Sequence, residues 1–322
     1  MSALLDIRNL RVELPGPPRL AVLDDVSLSI APGEILGVVG ESGAGKSVTG
    51  AAVLGLLTPP LRQVAGEIHF DGARIDTLPE DRMRRLRGAE IAMVFQDPLT
   101  ALNPVFTVGQ QLTQTIQEHA PLGRAEARAR AVALLREVGI SDPEARLEAY
   151  PHEFSGGMRQ RVVIALALAG GPRLIIADEP TTALDVSIQA QIIAVLVGLA
   201  RSRGVGVLLI THDMGVIAEA ADRVAVLYAG RLAEVGPVSE VLLTPCHPYT
   251  RGLVGAIPRI GAGLELLPQI PGAMPRLDAL PRGCAFNPRC PLADARCRAE
   301  RPVPQPIGGV QVACFHATGV GA

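Results

Sequence analysis

The stretch Gly40-Glu41-Ser42-Gly43-Ala44-Gly45-Lys46-Ser47 follows an apolar run, Ile35 to Val39, and fits the pattern G-x-x-x-x-G-K-S/T. Between a strand and a helix, such a run is a phosphate-binding loop. Its glycines let backbone N–H groups close around phosphate oxygens, Lys46 reaches the β- and γ-phosphates, and the Ser47 hydroxyl ligates Mg²⁺. The helix beginning near Lys46 adds its positive end, so residues 40–48, through Val48, form the candidate phosphate site. Of 30 basic residues, Lys46 alone is a lysine, where a compact ammonium rather than a planar fork is wanted.

The whole chain sets the bounds. Its 322 residues suggest about two domains, and 48% hydrophobic with 19% charged residues is the make-up of a globular protein with ample core. A net charge of −2 supplies no long-range attraction for nucleic acid or an anionic membrane, so no nucleic-acid partner is expected. The run Arg82, Arg84, Arg85, Arg87 reads as a solvated helix face. No stretch approaches the ~18 apolar residues of a membrane span, and no signal peptide opens the chain, so a cytoplasmic location is expected. Five cysteines, four of them late, argue against a disulfide framework and for metal chemistry or plain burial.

In chain order, residues 4–14 and 20–30 form partly alternating patterns broken by Pro15-Gly16-Pro17-Pro18, which predict an antiparallel hairpin. A helix is expected from Lys46 to about Leu57, then a strand from Gly66 to Phe70 and another from Ile91 to Phe95, ending at Gln96. Helical patterns over Thr107–Glu118, Arg124–Val138 and Gly156–Ala169 make the middle third a helical insertion. Strands at Leu174–Ala177, Val205–Ile210 and Val224–Tyr228 then alternate with helices at Ser187–Arg201 and Gly215–Ala220, which implies a parallel sheet covered on both faces. Past about Gly236 prolines and glycines multiply and periodicity fades, so a second, smaller module is expected.

The run Leu174-Ile175-Ile176-Ala177-Asp178-Glu179 places two carboxylates at the exit of a buried strand. Beside a phosphate loop, Asp178 is the candidate that orders the Mg²⁺ shell and Glu179 the base that polarises the attacking water. A second anion site is expected at Ser155-Gly156-Gly157, where a serine and two glycines open a helix. With Phe154-Ser155-Gly156-Gly157-Met158, the chain resembles the ATP-binding cassette (ABC) proteins, whose signature L-S-G-G-Q it matches at the Ser-Gly-Gly centre while carrying Phe154 for Leu and Met158 for Gln.

That resemblance implies an α/β phosphate-loop cassette fold: a RecA-like parallel core, an antiparallel β subdomain and a helical subdomain at about 97–170, together spanning 1–236. It implies ATP and Mg²⁺ as ligands, with residues 40–48 and Gln96 at the nucleotide. Ser47, Gln96 and Asp178 would serve the Mg²⁺, and Glu179 would be the base. His212, in Ile210-Thr211-His212-Asp213, is similar to the switch histidine that contacts the γ-phosphate. Asp185, in Ala183-Leu184-Asp185, is similar to the residue that meets the opposite protomer. Ser155, Gly156, Gly157 and Asp185 would touch ATP held by a partner cassette, which makes one chain half an enzyme. The family also offers an aromatic ring to adenine near the position of Leu14, where this chain has none, so aliphatic contact or another segment must serve.

The C-terminal segment 237–322 narrows the branch. His247-Pro248-Tyr249-Thr250, Ala256-Ile257-Pro258, Ile270-Pro271-Gly272 and Gly283-Cys284-Ala285-Phe286-Asn287-Pro288-Arg289-Cys290-Pro291 resemble the tail of dipeptide, oligopeptide and nickel importer ATPases. Residues 91–98 and Met158 are closer to that branch's first ATPase subunit than to its partner. The resemblance implies a heterodimer with a second cassette, two permease subunits and an external binding protein, at the cytoplasmic membrane face. Cys284, Cys290, Cys297 and Cys314 are spaced by five, six and sixteen residues, unlike the paired cysteines of zinc ribbons. Some members carry a 4Fe–4S cluster here. A cluster, zinc and metal-free thiols all remain open, because soft ligands alone do not choose the metal. Cys246 stands apart from the four.

The expected function is ATP hydrolysis that drives an importer, most of all for dipeptides or oligopeptides. Nickel or another small solute is the alternative cargo. A non-transport ABC switch fits less well, since the chain has neither two fused cassettes nor a long coiled-coil insertion.

Overall fold

A computed structural model of the chain describes residues 3–182, 184–257 and 269–317, so Ala183 and Pro258 of the motifs above lie outside the described residues. Its strands are Leu5–Leu14 (β1), Leu20–Ile30 (β2), Ile35–Val39 (β3), Arg62–Phe70 (β4), Ala73–Arg74 (β5), Ile91–Val94 (β6), Leu174–Asp178 (β7), Gly206–Ile210 (β8), Arg223–Tyr228 (β9), Arg231–Pro237 (β10), Gln305–Ile307 (β11) and Val310–Val312 (β12). They divide between two compact units. One comprises Ile30–Ile35 and Thr77–Ile210 with the N-terminal residues up to Leu4; the other comprises Leu5–Ser29, Leu36–Asp76 and the chain from Thr211 on.

In the unit holding Thr77–Ile210, β6, β7 and β8 pair in parallel, with Ile91 opposite Leu174 and Asp178 opposite Ile210. Every residue of β7 and β8 is buried, as a strand covered on both faces requires. The helical insertion follows its amphipathic spacing. Leu112 and Ile116 of Val108–His119 are buried, as are Ala127, Ala131, Leu134 and Leu135 of Arg124–Glu137. Thr107 caps the first of these helices with a capping box, its side chain accepting from Gln110 N at 3.2 Å while Gln110 Oε1 accepts from Thr107 N at 2.9 Å.

The other unit contains the antiparallel sheet β2-β1-β4-β5, in which Leu5 faces Phe70 and Glu13 faces Arg62. Beside it β3 runs parallel to β9, while β9, β10, β12 and β11 pair antiparallel in succession. Here the sequence expectation needs correction in one place. The helix after the phosphate loop stops at Val53 rather than Leu57, because Gly55 takes a φ of +63° and the chain closes a Schellman motif: Gly55 N donates to Ala52 O and Leu56 N to Ala51 O. The segment past Gly236, expected as a second, smaller module, contributes strands of its own. β10 runs through Gly236, and residues 310–312 return to pair with it, so both sides of the 236/237 boundary fall within one compact unit.

A buried carboxylate ties this unit together. Asp24, at the middle of β2, accepts from Arg11 Nη1 at 3.1 Å, Arg231 Nη2 at 2.9 Å and Arg301 Nη1 at 2.9 Å, so strands β1, β2 and β10 and the C-terminal segment share one charge. Burial pushes the Asp24 carboxyl up, but Arg301, Arg231 and Arg11 outweigh it and hold it below the ordinary aspartate value. Asp24→Asn is expected to cost about 2 kcal/mol, a figure held down by solvent screening of the half-exposed Arg11 and Arg301. Because the folded-state value is depressed, this contribution is present at neutral pH and lost as pH falls through the lowered value. Thermal unfolding of wild type and variant should therefore differ at pH 7 and converge in strong acid; parallel curves at all pH values would refute the assignment.

Candidate nucleotide-hydrolysis site

The phosphate loop leaves the buried end of β3 and enters the helix Lys46–Val53. Two glycines are required by space as well as conformation. At Gly40, φ +152°, a Cβ would come 2.3 Å from Leu227 O; at Gly45, φ +101°, it would come 2.5 Å from Leu23 Cδ2. Ala44 O accepts from Gly230 N at 3.0 Å, and Ala44 N donates to Glu41 O at 3.1 Å. The buried Lys46 donates from Nζ to Gly40 O at 2.8 Å and Glu41 O at 3.2 Å, so the ammonium closes the loop on itself and sits beside the amides that a phosphate would meet. This cradle of glycine backbone, one ammonium, the Ser47 hydroxyl and a helix start fits a nucleotide polyphosphate with its cation. His212 belongs to the same unit. Thr211 N donates to Val38 O at 3.1 Å, which sets the exposed His212 just after a backbone bond to the strand that feeds the loop. Asp213 then caps the helix Met214–Ala220, its Oδ1 accepting from Gly215 N at 2.7 Å.

Residues that the sequence did not assign to the site also reach the loop. Glu41 N donates to the Tyr249 hydroxyl at 2.9 Å, and Glu41 Oε2 accepts from Arg289 Nη1 at 3.0 Å. The His247-Pro248-Tyr249 run explains how Tyr249 gets there. Glu234, fully buried, accepts from Cys246 N at 2.9 Å and His247 N at 3.0 Å, and His247 Nδ1 accepts from Tyr249 N at 3.0 Å, which starts the helix Pro248–Gly255. Burial pushes the His247 value down to about 4, so this histidine is a neutral cap rather than an acid or base. The only sequence signal for these roles was the motif itself, which has no chemical signature of a phosphate site.

The other unit carries Gln96, Ser155 to Gly157, Asp178, Glu179 and Asp185. Asp178 closes β7, buried, and Glu179 N donates to Ile210 O at 2.8 Å. Glu179 then turns into the left-handed region, φ +46°, an uncommon conformation for a side-chain-bearing residue and one that gathers at functional sites. Its Oε2 accepts from Gln96 Nε2 at 3.1 Å and Thr182 Oγ1 at 2.8 Å, so two of the residues predicted from sequence are brought into direct contact. Ser155 is the N-cap of the helix Gly156–Leu168 and its Oγ accepts from Met158 N at 3.4 Å. A Cβ at Gly157 would come 2.4 Å from Ile188 Cγ2, in the helix Val186–Arg203 that Asp185 opens. Phe154 is buried, with the Arg146 guanidinium 5.8 Å from its ring centroid, so the aromatic residue in place of leucine anchors the signature turn in the helical insertion. Near Leu14, a groove of about 150 Å³ is lined by Glu13, Pro15, Arg19, Arg62 and Val64, with no aromatic ring among them.

In the C-terminal segment, Cys284, Cys290, Cys297 and Cys314 line one pocket. Burial pushes the thiols of Cys284 and Cys297 up and that of Cys314 to about 11, and nearby thiols add to each shift. Raised in this way the thiols stay neutral, and a bound cation would reverse that penalty; among the described residues no three of the four sulfurs form a group with ligand atoms within 4.8 Å of one another. A mixed set is present at its edge, where one ligand atom each from Asp294, Cys297 and His316 lie within 4.8 Å of one another.

The ABC transporter family matches residues 23–182, and the oligopeptide/dipeptide transporter C-terminal region matches residues 233–297. The chain is 47% identical over 302 residues to the dipeptide transport ATP-binding protein DppD of Escherichia coli (strain K12), covering 93% of this chain and 92% of that protein. It is 48% identical over 321 residues to a probable peptide ABC transporter ATP-binding protein, y4tR, of Sinorhizobium fredii (strain NBRC 101917 / NGR234), covering 98% and 96%. Among solved structures, the ATP-binding cassette MJ0796 in a dimeric post-hydrolysis state bound to ADP and Pi superposes with a TM-score of 0.65 at 28% identity, over 73% of this chain and 98% of its own. The cassette cbiO1 of Clostridium perfringens, part of the transporter complex cbiONQ, gives a TM-score of 0.66 at 27% identity, over 76% and 92%. With an intact phosphate loop, a serine-glycine-glycine helix start and the branch-specific C-terminal region all in place, the chain belongs to the ABC transporter family.

Proposed function

We propose that the chain is the ATP-hydrolysing subunit of a peptide importer, on the strength of one observation above the rest. In a chain with a complete phosphate loop, the Glu179 carboxylate stands at a strand exit, turned by an unusual backbone conformation and held by Gln96 and Thr182. When bound, ATP with Mg²⁺ supplies the phosphoryl group and the cation. Lys46 would meet the phosphate charge, Ser47 and Gln96 would be the oxygen donors to the cation, and Asp178 would order its shell. Glu179 takes the proton of the attacking water, and His212 marks the γ-phosphate. Residues Ser155, Gly156, Gly157 and Asp185 are assigned to the nucleotide of a second cassette in a heterodimer.

Permease partners follow from membership in an importer branch, and the surface supports them. Phe95, Leu99, Val105 and Phe106 are all exposed within one stretch just after β6, with Leu99 63% and Val105 70% accessible, an apolar concentration suited to a protein partner. Among the described residues no helix is long and apolar enough to cross a membrane, so attachment runs through those permeases. Work at the cytoplasmic face, with an external binding protein delivering peptide, completes the assignment.

The four-cysteine pocket is assigned to a 4Fe–4S cluster held by Cys284, Cys290, Cys297 and Cys314, which would staple the extension. The Asp294, Cys297 and His316 set favours zinc as the second reading. Co-purification in mild detergent without oxygen separates these. Two permeases, a second cassette and a visible iron chromophore are expected; zinc in place of iron refutes the cluster, and a soluble complex with ribosomes or nucleic acid refutes the importer. Glu179→Gln should lower ATP turnover about 10²–10⁴-fold while ATP remains bound. Turnover at the wild-type rate would remove Glu179 from the role of base.

A further inference from the structure

The C-terminal extension touches the phosphate loop itself, and its polar contacts converge on one residue. The Arg289 side chain is 6% exposed. Its Nη1 donates to Glu41 Oε2 at 3.0 Å and to the Tyr228 hydroxyl at 3.3 Å, and its Nε donates to Pro271 O at 2.8 Å. Nη2 lies 3.4 Å from Gly272 O and 3.5 Å from Ile270 O. The guanidinium also stands 5.8 Å and 5.9 Å from the ring centroids of Tyr228 and Phe286. From another part of the extension, the Tyr249 hydroxyl accepts from Glu41 N at 2.9 Å. A third part presses on the loop from outside, since a Cβ at Gly43 would come 3.0 Å from Met274 Cε.

Glu41 is thereby gripped at every polar group. Its amide is taken by Tyr249 and its carboxylate by Arg289, while its carbonyl accepts from Ala44 N at 3.1 Å and from Lys46 Nζ at 3.2 Å. The last two are groups of the phosphate cradle. Packing alone would be served as well by an apolar pair, without the desolvation of a guanidinium and a carboxylate. A charged pair that ends on the loop fixes direction, because a bidentate-capable fork among five acceptors has one orientation that satisfies them. Arg289 is itself set by a short turn. Asn287 N donates to Cys284 O at 3.0 Å and Arg289 N to Phe286 O at 3.0 Å, so the guanidinium is carried between Cys284 and Cys290.

We propose that Arg289 is a positioning residue for nucleotide binding: with Tyr249 it fixes Glu41, and so the entry of the phosphate loop, which makes nucleotide affinity depend on the extension. The proposal rests on the loop being the nucleotide site. It is tested on the full chain by titration with a fluorescent ADP analogue, with the thermal midpoint recorded for each variant. Arg289→Gln and Glu41→Gln should each weaken binding about tenfold, and the double variant should be no weaker than the weaker single, because both remove one interaction. Tyr249→Phe should weaken binding about threefold, and Arg289→Lys should recover part of the loss. In the assembled importer the KM for ATP should rise with kcat within about twofold, as expected when ground-state binding is what has been lost. Unchanged affinity in Arg289→Gln and Glu41→Gln, whatever the thermal midpoint does, overturns the proposal, as does a multiplicative, hundredfold loss in the double variant. Should Arg289→Gln not fold, Glu41→Gln and Tyr249→Phe decide in the same way. Failure of the wild-type chain to bind the analogue overturns the nucleotide-site reading, and this proposal with it.

Discussion

A loop that presents backbone amides to an anion has few side chains with which to hold itself, so its shape must be imposed by what surrounds it. Here the imposition comes from strand neighbours and from one ammonium. Gly40 lies against Leu227 O, Gly45 against Leu23, and Gly230 N meets Ala44 O, while Lys46 draws the carbonyls of Gly40 and Glu41 together. Most of what the unit does can be traced to keeping those neighbours in place. The Asp24 cluster joins the strand that carries Leu23 to β10, which follows Gly230 directly, and it recruits Arg301 from the far end of the chain.

The second unit solves a related problem with strain rather than with glycine. Glu179 adopts a left-handed conformation where a glycine would rest easily, yet glycine would remove the carboxylate. The backbone bond to Ile210 and the contacts from Gln96 and Thr182 hold the residue there. At the signature turn the opposite choice is made. Gly157 leaves room for Ile188, so two helix starts approach more closely than a side chain would permit.

Much of this was legible from the sequence because it depends on local pattern. The parallel strands β7 and β8 read as continuous apolar runs, and the helices of the insertion read from their spacing and their caps. Gln96 and Glu179 were identified singly, by order along the chain, and the fold brings them to 3.1 Å. What could not be read was of two kinds. The early end of the helix after the loop turned on Gly55 adopting a positive φ, a decision made by two backbone bonds. The links from Tyr249 and Arg289 to Glu41 join residues more than 200 positions apart, and no periodicity or spacing encodes such a pairing. Likewise β10 and β11 were missed because Gly236 and the prolines at 302, 304 and 306 look like loop, whereas pairing with β12 makes them strand.

The pairing of β12 with β10 changes what a shortened version of this protein would be. With residues 305–312 removed, β10 would become an open edge, and its row of unpaired N–H and C=O groups, beside the buried side chains of Leu232, Ala233 and Val235, would be a template for another chain. The extension thus covers an edge of the cassette's sheet. A cassette cut at residue 236 would present that edge to solvent.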